Sequence, residues 1–209
     1  IHRTEDQITN IALESGGSQI EFARRGPDFW MTSPVEDRAD ANRVADLLSE
    51  VASMRIAAFV DEPEQALVQM GIDPPTGVVE IWSESREASS GLRWGNLDPD
   101  TETRHYAEAE GQVFLTESGL QEFFDISVEE WRSLELTSFE TFQIDRLEVL
   151  EPTEGPLVLI RDGADWQRNE DTISFTTVSD LLYALTQLQA ESVLPDVTAE
   201  SLESAPVGP

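Results

Sequence analysis

Apolar and polar positions change period twice in the first third of the chain. Residues 8–14 alternate apolar and polar, Gly16, Gly17 and Ser18 make a turn, and residues 20–24 alternate again, which is the pattern of a β-hairpin. A third short strand is expected at 29–32, ahead of Pro34, and 35–39 reads as loop. The period then becomes helical. Val44, Leu47, Leu48, Val51 and Met54 share one stripe behind Asp40, a suitable N-cap, so the spacing predicts a helix from there to about position 53. A strand is expected at 56–60, then a short helix at 62–69 closed by Gly71 and the Pro74-Pro75 pair.

Much of this pattern returns near the C-terminus. A shift of 136 sets Ile8 on Ile144, Ile11 on Leu147, Leu13 on Val149, Phe22 on Val158 and Trp30 on Trp166. After the Trp a shift of 134 sets Asp40 on Ser174, Val44 on Val178, Leu47 and Leu48 on Leu181 and Leu182, Val51 on Leu185 and Met54 on Leu188. The second copy's hairpin turn falls at 152–156 and its last strand at 190–194. Between the copies lies a β-rich insert. Strands are expected at 77–83, 92–95, 104–108 and 112–115, with Glu110-Gly111 as a tight turn and Tyr106 facing Val113 and Leu115. Two short helices follow, at 116–124 and 127–131, the second capped by Ser127 with Glu130 three residues on. The expected architecture is α+β, with two pseudo-repeats that each pack one helix on a small antiparallel sheet. The divisions are a first repeat at 1–75, the insert at 76–140, a second repeat at 141–195 and a flexible tail at 196–209.

Composition adds a surface to this frame. With 209 residues, 39% of them hydrophobic, there is enough apolar material for a core. The formal charge is −29, from 42 acidic residues spread along the chain against 13 basic ones, every one of them Arg. Such a surface repels nucleic-acid phosphate and anionic lipid, so nucleic acid is excluded as a partner. Adaptation to a saline, halophilic setting is the first reading of the acidity; ordinary solubility charge, and a basic protein partner or nucleic-acid mimicry, are the alternatives. Absence of cysteine excludes disulfides and thiolate metal sites. No run of about 18 apolar residues is present to span a membrane. The chain starts at Ile1 rather than Met, so a signal peptide or anchor helix is expected to have preceded it.

Three segments carry a family resemblance. Trp30-Met31-Thr32-x-Pro34, then Ala39-Asp40-x-x-x-Val44-x-x-Leu47-Leu48, then Gly71-Ile72-Asp73-Pro74-Pro75 resemble the bacterial family called domain of unknown function 4340. Leu92-x-Trp94-Gly95 and Tyr106-x-x-x-x-Gly111-x-Val113 look like that family's later strands. The likeness covers about residues 8–115 and, more weakly, the second copy, which lacks the Thr-x-Pro and Gly-x-x-Pro-Pro pieces. The resemblance implies an extracytoplasmic, periplasmic protein held to the inner membrane by an N-terminal helix and encoded beside gliding-motility-type ABC transporter components. It implies no catalytic residues. The motif positions read as structural: Trp30 a core anchor, Asp40 a helix cap, Gly71 a helix terminator.

Candidate chemistry is sparse. His2 sits in the polar start and His105 in a predicted strand beside Tyr106; neither has metal-ligand spacing, and no G-x-S-x-G elbow accompanies them. Asp98-Pro99-Asp100-Thr101-Glu102 alternates carboxylates as a calcium loop does, but the sixth and twelfth positions are Thr103 and Ala109 where an EF-hand needs Gly and Glu, so a solvated hairpin loop is the favoured reading. With 42 acidic residues, no carboxylate pair can be singled out. Gly16-Gly17 and Gly91-x-x-x-Gly95 lack the context of a phosphate loop. Trp82, Trp94 and Trp131 are expected in the core. No catalytic, cofactor-binding or metal residue is assigned. The expected function is a non-enzymatic accessory or scaffold subunit that binds an ABC transporter permease or its periplasmic companion, with a binding module for a glycan or other small ligand as the second reading.

Overall fold

The computed structural model describes residues 7–61, 63, 66–83, 85–137, 139–150, 156–169 and 171–193, with 85–89 described as backbone only. The chain forms two compact units, one that holds the residues up to Ser133 and those after Val193, and one spanning Leu134–Val193. It is a β-rich α+β protein, mostly antiparallel sheet with few helices.

The first unit opens with the meander β1 (Ile8–Ser15), β2 (Ser18–Arg25), β3 (Asp28–Ser33) and the two-residue β4 (Asp37–Arg38). Helix α1 (Ala41–Ser53) follows, then β5 (Ile56–Phe59) and the run β6 (Gly77–Ser83), β7 (Ser85–Leu97), β8 (His105–Ala109) and β9 (Gln112–Thr116). All nine strands join one sheet in the order β4-β3-β2-β1-β6-β7-β8-β9-β5. Helix α1 thus leaves one edge of the sheet and its chain arrives at the other. Nine strands laid flat would measure about 38 Å across, while thirteen helical residues span about 20 Å and the four flanking ones add about 13 Å at most. The sheet has to coil around its helix. In keeping with that, one core joins Ile11, Phe22 and Met31 from the meander to Val79, Trp94 and Phe114 from the later strands, with Val44, Leu47, Leu48 and Val51 of α1 among them. A short helix α2 (Gln121–Phe124) and the turn around Trp131 supply Leu120 and Trp131 to the same core.

The second unit has β10 (Arg146–Val149), β11 (Leu157–Asp162), β12 (Asp165–Arg168) and β13 (Asp171–Ile173), an antiparallel meander in that order, then α3 (Phe175–Thr186). Its core is smaller: Leu159, Trp166, Val178 and Leu182, flanked by Leu147, Leu157 and Ile173. The two ends of this unit lie side by side, with the Ala190 N–H donating to the Leu134 carbonyl at 2.8 Å and the Leu136 N–H to the Leu188 carbonyl at 3.2 Å.

Several expectations need correction. The division at 75/76 is not a boundary, because β1 pairs with β6 along its length and the supposed insert continues the same sheet; the boundary falls after Ser133 rather than at 140. β4 and β13 arise in stretches that had no strand pattern, being two and three residues long. On β8 and β9 Tyr106 does stand opposite Leu115, as expected, on the face away from the core pair Ala107 and Phe114. Residues 127–131 form a single turn held by the expected Ser127–Glu130 box, in which the Ser127 N–H and Oγ both donate to Glu130 Oε2, at 3.0 and 2.8 Å. Of the helix expected at 62–69, positions 62, 64 and 65 lie outside the described residues and 66–70 form turns. The strand expected at 190–194 is reduced to one bridge between Glu135 and Gln189, and position 194 is outside the described residues. The turn at 152–155 and the tail at 196–209 also lie outside them.

Candidate functional site

Two of the motif segments meet at one buckle. Gly71 has φ +66°, and a Cβ there would sit 2.7 Å from the Asn96 side chain. A Cβ on Gly95 would sit 2.3 Å from the Met70 carbonyl oxygen, so the strand and the turn touch backbone to backbone. The Asn96 N–H donates to that carbonyl at 2.7 Å, the Asn96 amide to Gln69 O at 2.9 Å, and the Thr76 hydroxyl to Trp94 O at 2.8 Å. Ile72 is buried within this contact. Trp94 is wholly buried, its indole N–H donating to Gln121 Oε1 at 3.1 Å. His105 stacks on the Trp94 ring at 4.9 Å, and its Nδ1 lies 3.3 Å from Gly95 O. That histidine is a packing partner.

The suspected calcium loop is built inward at its first residue. Asp98 is buried and accepts from the Tyr106 hydroxyl at 2.8 Å, the Thr101 hydroxyl at 2.9 Å and the Asp100 N–H at 3.4 Å. The solvated-loop reading therefore fails at Asp98, whose carboxylate closes the turn. The hydrogen bond from Tyr106 holds Asp98 below the usual carboxylate range, and burial, followed by the bond to Asp98, pushes the phenol of Tyr106 up to about 12. Among the described residues no three His, Asp or Glu side chains converge as metal ligands; His2 lies outside those residues.

Trp30 stands half-buried under the Arg25 guanidinium at 5.1 Å, while its neighbours Phe29 and Met31 point into the core. Strand alternation makes them the anchors, against the role expected for Trp30. Trp131 is wholly buried and Trp82 half-buried. Asp40 does cap α1, accepting from the Asn42 and Arg43 N–H groups at 2.9 and 3.0 Å.

A concave apolar feature lies beside an open strand edge. β5 ends the nine-stranded sheet, and all four of its residues, Ile56, Ala57, Ala58 and Phe59, are exposed, Ile56 by 49% and Phe59 by 60%. On one side it borders a groove of about 450 Å³ walled by Val51, Met54, Ile56, Leu92 and Phe114. The groove holds one carboxylate, Glu110, and no His or Arg. On the other side lies a polar cleft of about 450 Å³ containing Glu50, Arg55, Arg104 and Glu117. Glu50 is committed to structure, accepting from Ser118 Oγ and the Gly119 N–H, both at 2.7 Å. Such an arrangement can seat an apolar side chain and extend a sheet. Sequence reading missed it because β5 looks like any short apolar strand; its position at an edge depends on pairing with β9, far along the chain.

The fold and this surface define a β-rich α+β protein with an apolar sheet edge that no strand covers among the described residues. The chain belongs to the family described as a domain of unknown function, DUF4340, whose model matches residues 30–206. No curated protein and no solved structure matches the chain. Among the described residues no helix is long and apolar enough to cross a membrane.

Proposed function

We propose that this protein is a non-enzymatic accessory subunit, extracytoplasmic and tethered to the inner membrane, that binds a permease or periplasmic companion of an ABC-type export or gliding-motility-like system. The observation that carries the reading is β5, an apolar strand exposed along its whole length at the edge of a large sheet. Edges of this kind are normally shortened, charged or covered in a monomer. Its motif residues act as structural parts, so the surface is the place to look for activity. The test is photocrosslinking from Phe59 in native membranes, using the full-length anchored protein and a charge-matched control. Recovery of a permease or its companion supports the reading; capture of nothing above control, or equal capture from a label at Gly111, removes it.

A second reading is favoured by the groove itself, whose walls suit a small apolar ligand. A glycan fits less well, since Trp94 and Trp131 are wholly buried and offer no stacking face.

We further infer that the second unit repeats the opening of the first. Both run through an antiparallel meander of four strands into a capped helix, and Val44 and Leu48 match Val178 and Leu182 as buried residues at a shift of 134. Hairpin closure by Arg25 with Asp28 and by Asp162 with Asp165 sets the local shift at 137. Trp166 then takes the place of Phe29 rather than of Trp30.

A further inference from the structure

We infer that the outer edge of β10, together with the adjoining face of α3, is a docking site for an antiparallel β-strand of a basic partner protein. The inference uses the likeness of the two units and not the partner assignment made above. In the first unit, the edge of β1 remote from β2 is covered by β6, in the register Ile11 to Ile81 and Leu13 to Val79. β10 holds the corresponding position in the second unit, with Leu147 and Val149 in place of Ile11 and Leu13. Yet among the described residues no strand pairs with its outer edge.

The side chains show what that difference leaves uncovered. Ile11 and Leu13 are buried, whereas Leu147 and Val149 are only half-buried. Leu47 of α1 is 0% exposed; Leu181, its counterpart on α3, is 40% exposed, and Leu188 beyond it 46%. Val178 and Leu182 are buried, as are Val44 and Leu48, so the meander covers its own part of each helix equally well. Among the described residues the second unit has no counterpart of β6 and of the strands that follow it in the first. Leu150, at the end of β10, is 76% exposed.

Backbone groups point the same way. The Arg161 N–H donates to the Asp145 carbonyl at 2.8 Å, which makes residues 145, 147 and 149 the ones bonded to β11. The amides and carbonyls of Arg146, Glu148 and Leu150 therefore face outward, ready for a ladder.

Charge selects the partner. Positions 134–193 hold twelve Asp and Glu against three Arg, so edge-to-edge pairing of two copies would set like charge against like. A strand with apolar residues on one face and Lys or Arg on the other meets both demands.

The experiment uses the full chain, ¹⁵N-labelled, with a synthetic peptide of the β6 sequence Gly77–Ser83 carrying Glu80→Arg and lysine flanks, at millimolar concentration. Shifts and slowed hydrogen exchange at the amides of 146, 148 and 150 are expected, weaker at molar KCl and at least several-fold weaker for the unmodified acidic peptide. Glu148→Pro removes one outward N–H without touching the β11 ladder, and Leu181→Arg charges the helix face; each is expected to abolish the shifts while leaving Tm nearly unchanged. Absence of shifts at those amides, perturbation at β5 alone, or equal binding of the acidic peptide overturns the inference. Protection of the three amides already in the free protein would mean that β10 has no open edge, and that too overturns the inference.

Discussion

At the scale of single residues, the contact between Gly95 and the Met70 carbonyl gives a sharp expectation. Gly95→Ala should cost about 2 to 3 kcal/mol in chemical denaturation, since the new methyl meets backbone that cannot swing aside. Gly111→Ala tests the alternative that φ alone matters: φ there is +78° but nothing lies within 4 Å of the new methyl, and about 1 kcal/mol is expected. The Asp98–Tyr106 pair predicts two pH limbs. Asp98 titrates below its unfolded value near 3.9, so its contribution is present above about pH 4 and fades as pH falls through the lower folded value. Tyr106, raised to about 12, contributes below its unfolded value near 10 and loses that contribution as pH climbs towards 12. Tyr106→Phe should flatten the alkaline limb of a Tm-against-pH curve and shrink the acid limb. An unchanged alkaline limb would show that the phenol does not titrate in the fold.

At the scale of elements, capping separates the two long helices. Asp40 accepts from two amides at about 3 Å, while Ser174 accepts one at 3.4 Å. Asp40→Ala should therefore cost about 1 to 2 kcal/mol and Ser174→Ala about 0.5 kcal/mol, measured by urea unfolding. α1 was legible in the sequence from its apolar stripe and its Asp cap, and so was the β1–β2 hairpin with its Gly16-Gly17 turn. These depend on neighbours within a few residues. The pairing of β1 with β6 joins positions about seventy apart, and no local pattern reports it; the insert was set apart for that reason. That Tyr106 stands opposite Leu115 follows from strand alternation, but which side of the strand meets the core does not: the small Ala107 carries that face against Phe114. Asp98, in an acidic loop, resembled its solvated neighbours, and only the fold brings the Tyr106 hydroxyl to it.

At the scale of the whole molecule, charge dominates. A formal charge of −29 on 209 residues implies strong self-repulsion in dilute buffer, and we propose that the protein works in a salty medium that screens it. Tm should rise steadily from low to molar KCl; a flat curve would reduce the acidity to ordinary solubility. Exposed ion pairs such as Arg25 with Glu36 and Arg146 with Glu148 weaken as salt rises, and each is worth little, so they oppose the expected trend only slightly.

The neighbouring ends of the second unit have a mechanical consequence. The chain enters at Leu134 and leaves near Ala190 through adjacent hydrogen bonds, so tension on the flanking segments would open those bonds one after another, as a zip opens, and would not shear them together. Once the Ala190 and Leu136 bonds had parted, the load would reach the β10–β13 sheet and α3 from one corner. Force entering this unit through its two ends would thus be met by these hydrogen bonds one at a time, before it reached the strands behind them.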